Sequence, residues 1–317
     1  MHTLNYFNRF TLSIGILLAA VVFSPDPGVS RASAAIHDFA HAPIFGCIAL
    51  LILSWLRSQP AMQSWSVPKQ YIVAFVTAFV LGLVTEIAQM YAARDASWID
   101  LRSDALGAAA FCGLFTMLDR RIASSTVRTI GVIAAVALLA WHSVPAVQVT
   151  LAYVHRSQDF PSLIDARDSR PDGFASPFRS QGEYTHLPTI FAQVQNERAL
   201  RLRFGGKDWV GLDLDEPYPD WSGYRTMNLD LTNPNDASLR LAIRVHDRTH
   251  NWRFDDRFNH GFTLAARTRA TYSIALADIE RAPLARRLDL KHIANVQLFT
   301  AGTNVGRDIY VSRIWLE

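Results

Sequence analysis

Five apolar stretches in the first half of this 317-residue chain constrain its fold more than any other feature. They comprise residues 7–23, 40–56, 72–91, 105–118 and 129–149. A membrane-spanning helix needs roughly 20 predominantly apolar residues. The third and fifth stretches reach this length, whereas the others need flanking residues to complete a span, and the fourth is rich in Gly and Ala, which favours close helix packing. The pattern therefore predicts an α-helical membrane bundle of about five transmembrane helices.

The distribution of charge divides the chain into two parts. Residues 1–154 carry nine Lys/Arg and seven Asp/Glu, whereas the remaining residues carry 22 and 21. An apolar, charge-poor part joined to a charge-rich part excludes a single soluble domain and a disordered chain. Positive and negative residues are interspersed and the net charge is only +3, so we expect no nucleic acid as a partner.

The positions of Lys and Arg predict the orientation of the helices. Cytoplasmic segments of membrane proteins carry an excess of these residues. With the N-terminus inside, six of them fall on the cytoplasmic side and three on the other. We therefore predict a multi-pass protein of the bacterial cytoplasmic membrane, N-terminus inside, with its C-terminal part outside the cytoplasm. An alternative is that the first stretch is a cleaved signal peptide, because residues 32–34 read Ala-Ser-Ala, and this also exports the C-terminal part.

Two groups of polar residues lie within or beside the predicted spans, where an ionisable group costs roughly 2.5–3.5 kcal/mol. They are Asp38 and His41 at the start of the second stretch, Glu86 and Gln89 at the end of the third, and Arg94, Ser97, Asp100 and Asp104 between the third and fourth. Helical spacing places Glu86 and Gln89 on one face, and Asp100 and Asp104 on another. Arg94 lies between these pairs in the sequence and could bridge to either carboxylate.

These residues resemble the pattern of the VanZ-like family of small membrane proteins. In that family an acidic residue and a His lie at the start of one span. A Glu-x-x-Gln helix end, an Arg-x-x-Ser loop and Asp-x-x-x-Asn/Asp-x-x-Gly at the start of the next span follow along the chain. The matching positions here are Asp38, His41, Glu86, Gln89, Arg94, Ser97, Asp100, Asp104 and Gly107. The resemblance covers about residues 36–118 and implies a VanZ-like transmembrane domain over residues 1–154. It departs at His37-Asp38, where many relatives carry Asp-Lys.

The predicted topology places both polar groups at the outer membrane face, and three roles remain open for them. They could form a hydrogen-bonded network that stabilises helix contacts. They could bind a lipid headgroup or a lipid-linked cell-wall precursor, or they could catalyse a reaction on such a lipid-linked substrate. A His with three carboxylates is also a possible set of metal ligands, but no His-Glu-x-x-His sequence accompanies it, so we expect no metal and no cofactor.

The second part of the chain has the pattern of short strands. Residues 155–180 contain several Pro, Asp, Arg and Ser residues and are predicted to be a linker. Apolar and polar residues then alternate over 198–204, 227–231, 238–245, 271–276, 296–299 and 309–316. Short strands of this kind predict an all-β antiparallel jelly-roll sandwich over residues 181–317.

The order of several motifs resembles the galactose-binding-like jelly-roll modules that accompany carbohydrate-active proteins. They are Leu-Arg-Leu-Arg-Phe-Gly at 200–205, Asp-Trp-Ser-Gly-Tyr at 220–224, Arg-Val-His-Asp at 244–247 and the strand at 309–316. The resemblance implies recognition of sugars. In such sites an aromatic ring stacks on the apolar face of a pyranose, while amides and carboxylates bind its hydroxyl groups.

A polar segment at 245–258 holds the candidate glycan-binding residues. They are Trp252, His250, Asn251, Arg253, Asp255 and Asp256, with Trp209 and Trp221 as alternatives. The segment could instead be only a solvated loop, and Trp221 could anchor the strand that follows it. We see no catalytic motif in this part of the chain.

The sequence therefore predicts an integral membrane protein of the cell envelope, in contact with membrane lipids, whose exported sandwich recognises envelope glycan or a lipid-linked precursor. One alternative is a membrane enzyme that acts on lipid-linked substrates through the His and carboxylate residues. Another is a structural protein whose sandwich binds a protein partner in the envelope.

Overall fold

The computed structural model describes residues 2–22, 30–91, 96–167, 173–206, 209–300 and 304–317. The chain divides into two compact units, Met1–Thr150 and Leu151–Glu317. The first unit is helical, and the second is built from two antiparallel sheets. The predicted order of a helical part followed by an antiparallel β-sandwich is therefore confirmed.

The helices of the first unit differ in their suitability for crossing a membrane. In the described residues they are α1 (His2–Val22), α2 (Arg31–Ser58), α3 (Val67–Tyr91), α4 (Trp98–Phe115) and α5 (Ser125–Asp159). Helices α2, α3 and α5 are long and apolar enough to span a bilayer. In the described part of α1 the apolar helix Phe10–Val22 is shorter than these three, and α4 carries three charged residues in its first turns. The structure thus supports three candidate spans where the sequence predicts about five.

Small residues allow α2, α3 and α4 to approach one another closely. A Cβ atom added to Gly107 of α4 would lie only 1.9 Å from the carbonyl oxygen of Ala42 in α2. Gly82 of α3 makes similar room for the side chain of Asp104, because an added Cβ would lie 2.6 Å from Oδ2 of that residue. Helix α4 begins at a regular N-cap, in which Ser97 Oγ accepts hydrogen bonds from the backbone N–H groups of Ile99 and Asp100. These contacts bring the polar residues at this end of the helices together.

The second unit contains two sheets. Its described strands are β1 (Ser162–Asp165), β2 (Ala175–Phe178), β3 (Ser180–His186), β4 (Arg198–Phe204), β5 (Val210–Asp215), β6 (Thr226–Asn233), β7 (Leu239–Asp247), β8 (Phe258–Leu264), β9 (Thr268–Ala275), β10 (Ile293–Thr300) and β11 (Asp308–Leu316), with a short helix α6 (Leu276–Arg281) after β9. The six-stranded sheet has the order β3-β4-β11-β6-β9, and β1 also pairs with β11. The five-stranded sheet has the order β2-β5-β10-β7-β8.

Alternation of apolar residues builds the core between the sheets. In β4, Leu200, Leu202 and Phe204 are buried while the residues between them face away from the core. Side chains of this size contribute roughly 1.5–3 kcal/mol each when fully buried. Trp221 is also fully buried, and its Nε1 donates a hydrogen bond to the carbonyl of Tyr218.

Within residues 155–180, predicted to be a linker, the described residues include the end of a helix and short strands. Helix α5 continues to Asp159, β1 pairs with β11, and β2 pairs with β5. Leu163 and Ile164 of β1 belong to the core of the sandwich. The pattern was misleading because both strands have only four residues, and β2 lies at a sheet edge, where a Pro such as Pro177 is tolerated. The second unit therefore begins well before residue 181.

Candidate functional site

The outer face of the five-stranded sheet carries a continuous group of polar side chains. Apolar residues of β5, β7 and β10 alternate into the core, so the residues between them point away from it. Strand register places these outward residues in two rows across the sheet, Asp213–Gln297–Arg244 and Asp215–Asn295–His246. We refer to these six residues as the polar face.

Hydrogen bonds fix the side chains of the polar face. Asn295 Nδ2 donates to Oδ1 of Asp213 at 2.7 Å and to Oδ1 of Asp215 at 2.9 Å. Arg244 Nη1 donates to Gln297 Oε1 at 2.9 Å. The buried Oδ1 of Asn295 and Nε of Arg244 have no hydrogen-bond partner in the described part of the chain. The face therefore offers both an acceptor and a donor, which is the combination that a hydroxyl group satisfies.

Burial also affects the ionisation of this face. It raises the pKa of Asp213 above its usual value, against the opposing effect of the hydrogen bonds from Asn295 and Gln297. Burial lowers the pKa of His246. Both effects disfavour the charged forms of these two side chains.

Two exposed tryptophans lie at opposite ends of the polar face. Trp209 is 52% exposed, and its ring centroid lies 5.1 Å from that of Phe299, the next outward residue of β10 after Gln297. Trp252 is 81% exposed and lies 6.1 Å from the ring of His246, the last outward residue of β7. Both tryptophans have positive φ, 46° and 67°. This backbone conformation costs a bulky residue about 1–3 kcal/mol and is concentrated at functional sites.

The six candidate glycan-binding residues of the loop after β7 divide into two groups. Asn251, Trp252 and Arg253 are exposed, and the partly exposed Asp255 forms an ion pair with Arg253. The side chains of His250 and Asp256 are buried and hold the loop together. Of the alternatives, Trp209 lies beside the polar face, whereas Trp221 is in the core, where a ligand has no access to its ring.

An ion-pair network anchors the loop after β7, residues 248–257, to the end of that strand; we refer to this segment as the Trp252 loop. Arg286 donates to both Asp247, at 2.5 and 2.9 Å, and Asp256, at 2.6 and 3.1 Å. The hydrogen bonds from Arg286 hold the pKa of Asp256 well below its usual value. Burial raises the pKa of Asp247, but hydrogen bonds from Arg286 and from the backbone of Asp289 outweigh it, so this pKa is also lowered.

We expect the second unit to lose stability as the pH falls below about 4. Because the folded-state pKa values of Asp247 and Asp256 are lowered, their stabilisation is complete above the unfolded-state pKa of about 3.9 and is lost as the pH falls through the folded-state values. Hydrogen exchange of β7 amides, measured in the full chain between pH 6 and pH 2.5 and corrected for intrinsic rates, reports this loss. An Arg286→Met variant with the same pH slope as the wild type would refute the assignment.

In the first unit, four of the predicted polar residues come together from three helices. They are His41 of α2, Glu86 of α3, and Asp100 and Asp104 of α4, all buried, and we refer to them as the helix cluster. His41 Nδ1 lies 2.9 Å from Asp104 Oδ1, and His41 Nε2 lies 3.9 Å from Asp100 Oδ2. Glu86 Oε2 accepts a hydrogen bond from the backbone N–H of Ser97 at 2.7 Å.

The other predicted residues of this region lie around the helix cluster. Asp38 is partly exposed, and its carboxylate lies 3.8 Å from His37 Nδ1. Gln89 is fully buried and donates to the carbonyl of Val21 in α1, while Ser97 caps α4. Arg94 lies outside the described residues.

The sequence pattern did not identify the residues of the polar face as a site. The signal was available within each strand, because Asp213, Asp215, Arg244 and His246 occupy the polar positions of alternating runs. These residues form one surface only because β5, β10 and β7 are neighbours in the sheet, although the three strands are distant in the sequence.

Comparison with known proteins gives similarities over about half of the chain. No protein-family model and no curated protein matches, so the VanZ-like resemblance remains a prediction. An exo-beta-agarase matches at 14% identity and a TM-score of 0.40, over 49% of this chain and 24% of its own, so the chain spans about a quarter of that enzyme's length. The family 11 carbohydrate-binding module from Clostridium thermocellum, in complex with a beta-1,3-1,4-mixed-linked tetrasaccharide, matches at 14% identity and a TM-score of 0.37, over 49% of this chain and 94% of its own.

A xylan-binding domain from CBM 22 matches at 7% identity and a TM-score of 0.33, over 47% of this chain and 88% of its own. At these identities and TM-scores the matches establish neither a family nor a ligand for this chain.

Proposed function

We propose that this chain is an integral membrane protein of the bacterial cell envelope whose sandwich, outside the cytoplasm, binds glycan on the polar face. The observation that carries the proposal is the position of exposed Trp209 and Trp252 at the two ends of a hydrogen-bonding surface. Exposed aromatic rings supply apolar contact area, and the side chains between them supply orientation.

The outer face of the other sheet is less suited to a ligand. Leu187 and Phe191, in the segment between β3 and β4, pack on Ala199 and Tyr310 of the six-stranded sheet. Arg269 holds this segment against the sheet, because it donates hydrogen bonds to Glu197 and to the carbonyl of Phe191. The polar face is therefore the better candidate for recognition.

The composition of the polar face favours a neutral oligosaccharide. It combines two carboxylates, two amides, one guanidinium and one imidazole, so its net charge is small, about −1 with a neutral imidazole. Its two rows are two residues apart along the strands, roughly 7 Å, and a tryptophan lies beyond each row. A ligand that contacts both rings must extend past a single sugar.

The membrane assignment rests on the helical unit. Helices α2, α3 and α5 have the length and composition of spans, and the distribution of Lys and Arg favours a cytoplasmic N-terminus. Helix α5 continues into the sandwich unit, where Arg156 Nη1 donates to the carbonyl of Glu216 at 2.6 Å.

Titration of the detergent-solubilised full chain with cell-wall glycan fragments and neutral β-linked oligosaccharides, followed by calorimetry, tests this proposal. Trp209→Ala and Trp252→Ala are each expected to weaken binding at least about tenfold, or about 1.4 kcal/mol, because each removes a stacking ring. Trp315→Ala is the matched control, since Trp315 lies on the outer face of the six-stranded sheet. No binding by the wild type, or equal binding by all three variants, would contradict the proposal and favour a protein partner.

A further inference from the structure

Two histidines and a carboxylate meet at one end of the helical unit. His37 and His41 are four residues apart on α2, which places both imidazoles on one face of the helix. Together with Asp100 of α4 they offer three ligand atoms that all lie within 4.8 Å of one another. In the tetrahedral geometry usual for Zn²⁺, N and O ligands at about 2.0–2.2 Å from the ion lie roughly 3.2–3.6 Å apart. Side-chain adjustments of up to about 1 Å therefore bring all three atoms onto a common ion.

From this geometry we propose that His37, His41 and Asp100 bind a divalent transition-metal ion such as Zn²⁺. The 3.9 Å separation of His41 Nε2 from Asp100 Oδ2 is too long for a hydrogen bond and fits two ligands of one metal ion. Imidazole and carboxylate together favour Zn²⁺ and similar ions over Mg²⁺ or Ca²⁺, which prefer oxygen ligands alone.

A buried atom at this position independently points to a ligand. Asp100 is only 4% exposed, and its Oδ1 has no hydrogen-bond partner among the residues that the structure describes. Leaving a buried carboxylate oxygen unsatisfied is costly. A metal ion between α2 and α4 would satisfy this carboxylate.

Asp104 has the role of a positioning residue. It is fully buried, and its Oδ1 lies 2.9 Å from His41 Nδ1, so the Nδ1–H group donates to the carboxylate and Nε2 is left to bind the metal. Metal-binding histidines commonly have such a carboxylate partner, which fixes the ring and its tautomer. Gly82 leaves the space that Asp104 occupies.

The charges around the site also favour a cation. In the described parts of α2, α3 and α4, the ion pairs of Asp100 and Asp104 are with His41 alone. The guanidinium of the neighbouring Arg102 lies over the ring of Trp141 instead, at 5.8 Å. Two carboxylates in a helical bundle need a compensating positive charge, and a divalent ion supplies it.

The expectation of no metal rested on the missing His-Glu-x-x-His sequence. The ligands instead combine a His-x-x-x-His pair on one helix with an Asp that is 59 positions further along the chain. The proposed site lies in the helical unit and does not depend on glycan binding by the sandwich.

The direct test is Zn²⁺ binding by the chelator-stripped full chain in detergent, measured by calorimetry and by elemental analysis after gel filtration. We expect about one ion per chain, and a Co²⁺-loaded protein whose visible absorption bands disappear when Zn²⁺ is added. His37→Ala, His41→Ala and Asp100→Asn are expected to weaken Zn²⁺ binding at least about tenfold, and Asp104→Asn about 10–100-fold.

Matched controls separate binding from misfolding. His142→Ala removes another buried histidine, which stacks on Phe39 rather than joining the site, and Asp119→Asn removes a buried Asp that pairs with Arg57. Both should keep wild-type Zn²⁺ affinity, and every variant is compared at an unchanged elution volume and helical circular dichroism. Absence of Zn²⁺ binding by the wild type, equal affinity for Mg²⁺, or undiminished binding by folded His41→Ala and Asp100→Asn would overturn the proposal.

Discussion

Replacing Arg286 with methionine is expected to destabilise the sandwich unit by about 3–5 kcal/mol, the cost of breaking a buried ion pair from one side. Arg286 is the shared partner of Asp247, whose side chain is fully buried, and of Asp256, whose side chain is nearly so. Methionine preserves much of the side-chain length but leaves two buried carboxylates without their cation. Hydrogen exchange in the full chain measures the loss as reduced protection of amides in β7 and in the Trp252 loop.

Two further variants identify the cause of that loss. Arg281→Met removes a mostly exposed arginine whose contact with Asp278 is 3.6 Å long, and it should change stability by less than about 0.5 kcal/mol. Adding Asp247→Asn to Arg286→Met should recover part of the lost protection, because it removes one unpaired charge. Normal protection in Arg286→Met would show that the network contributes little to stability.

Replacing Gly107 with alanine is expected to destabilise the helical unit by about 3 kcal/mol, at the upper end of the range for overpacked cores. The added methyl group would lie 1.9 Å from the carbonyl oxygen and 2.5 Å from the Cα of Ala42. These are backbone atoms, so no change of rotamer relieves the clash and α2 and α4 must separate. The loss far exceeds the roughly 0.8–1.0 kcal/mol that alanine gains over glycine in a helix.

Gly15→Ala in α1 is the matched control, since a Cβ there meets no atom within 4 Å. It should leave the unit as stable as the wild type or slightly more stable. Thermal unfolding in detergent, together with exchange of α2 and α4 amides, gives the comparison. Because the same helix contact positions His41 and Asp100, Gly107→Ala should also weaken Zn²⁺ binding. A Gly107→Ala protein that unfolds at the wild-type temperature would contradict the close backbone contact.

Periodicity predicted the longer elements well and failed at short or interrupted ones. The predicted strand at 198–204 coincides with β4, and 309–316 falls within β11. Strand β5 was missed, although Val210, Leu212 and Leu214 alternate, because its run is short and contains Gly211. Helix α4 starts at Trp98 rather than near residue 105, because the charged residues of its first turns lower the hydropathy that marks an apolar stretch.

Candidate site residues were predictable where they stand out from their local sequence. They were not predictable where only the topology of the sheet brings them together. The exposed Trp252 stood out in its loop, and His41, Glu86, Asp100 and Asp104 stood out as polar residues beside apolar stretches. The partners on the polar face did not, because strand neighbours across a sheet depend on the order β5-β10-β7 and leave no spacing pattern in the sequence.

The central position of β11 governs the order in which the sandwich can fold. This strand pairs with β1, β4 and β6, and its pairing with β1 joins Ser162 to Trp315. During synthesis the N-terminal part of the chain is made first. Strands β1, β4 and β6 therefore lack their common neighbour until β11 has also been made. Sheets dominated by such distant pairings have high contact order and fold slowly, so we expect the six-stranded sheet to form only after β11 is available.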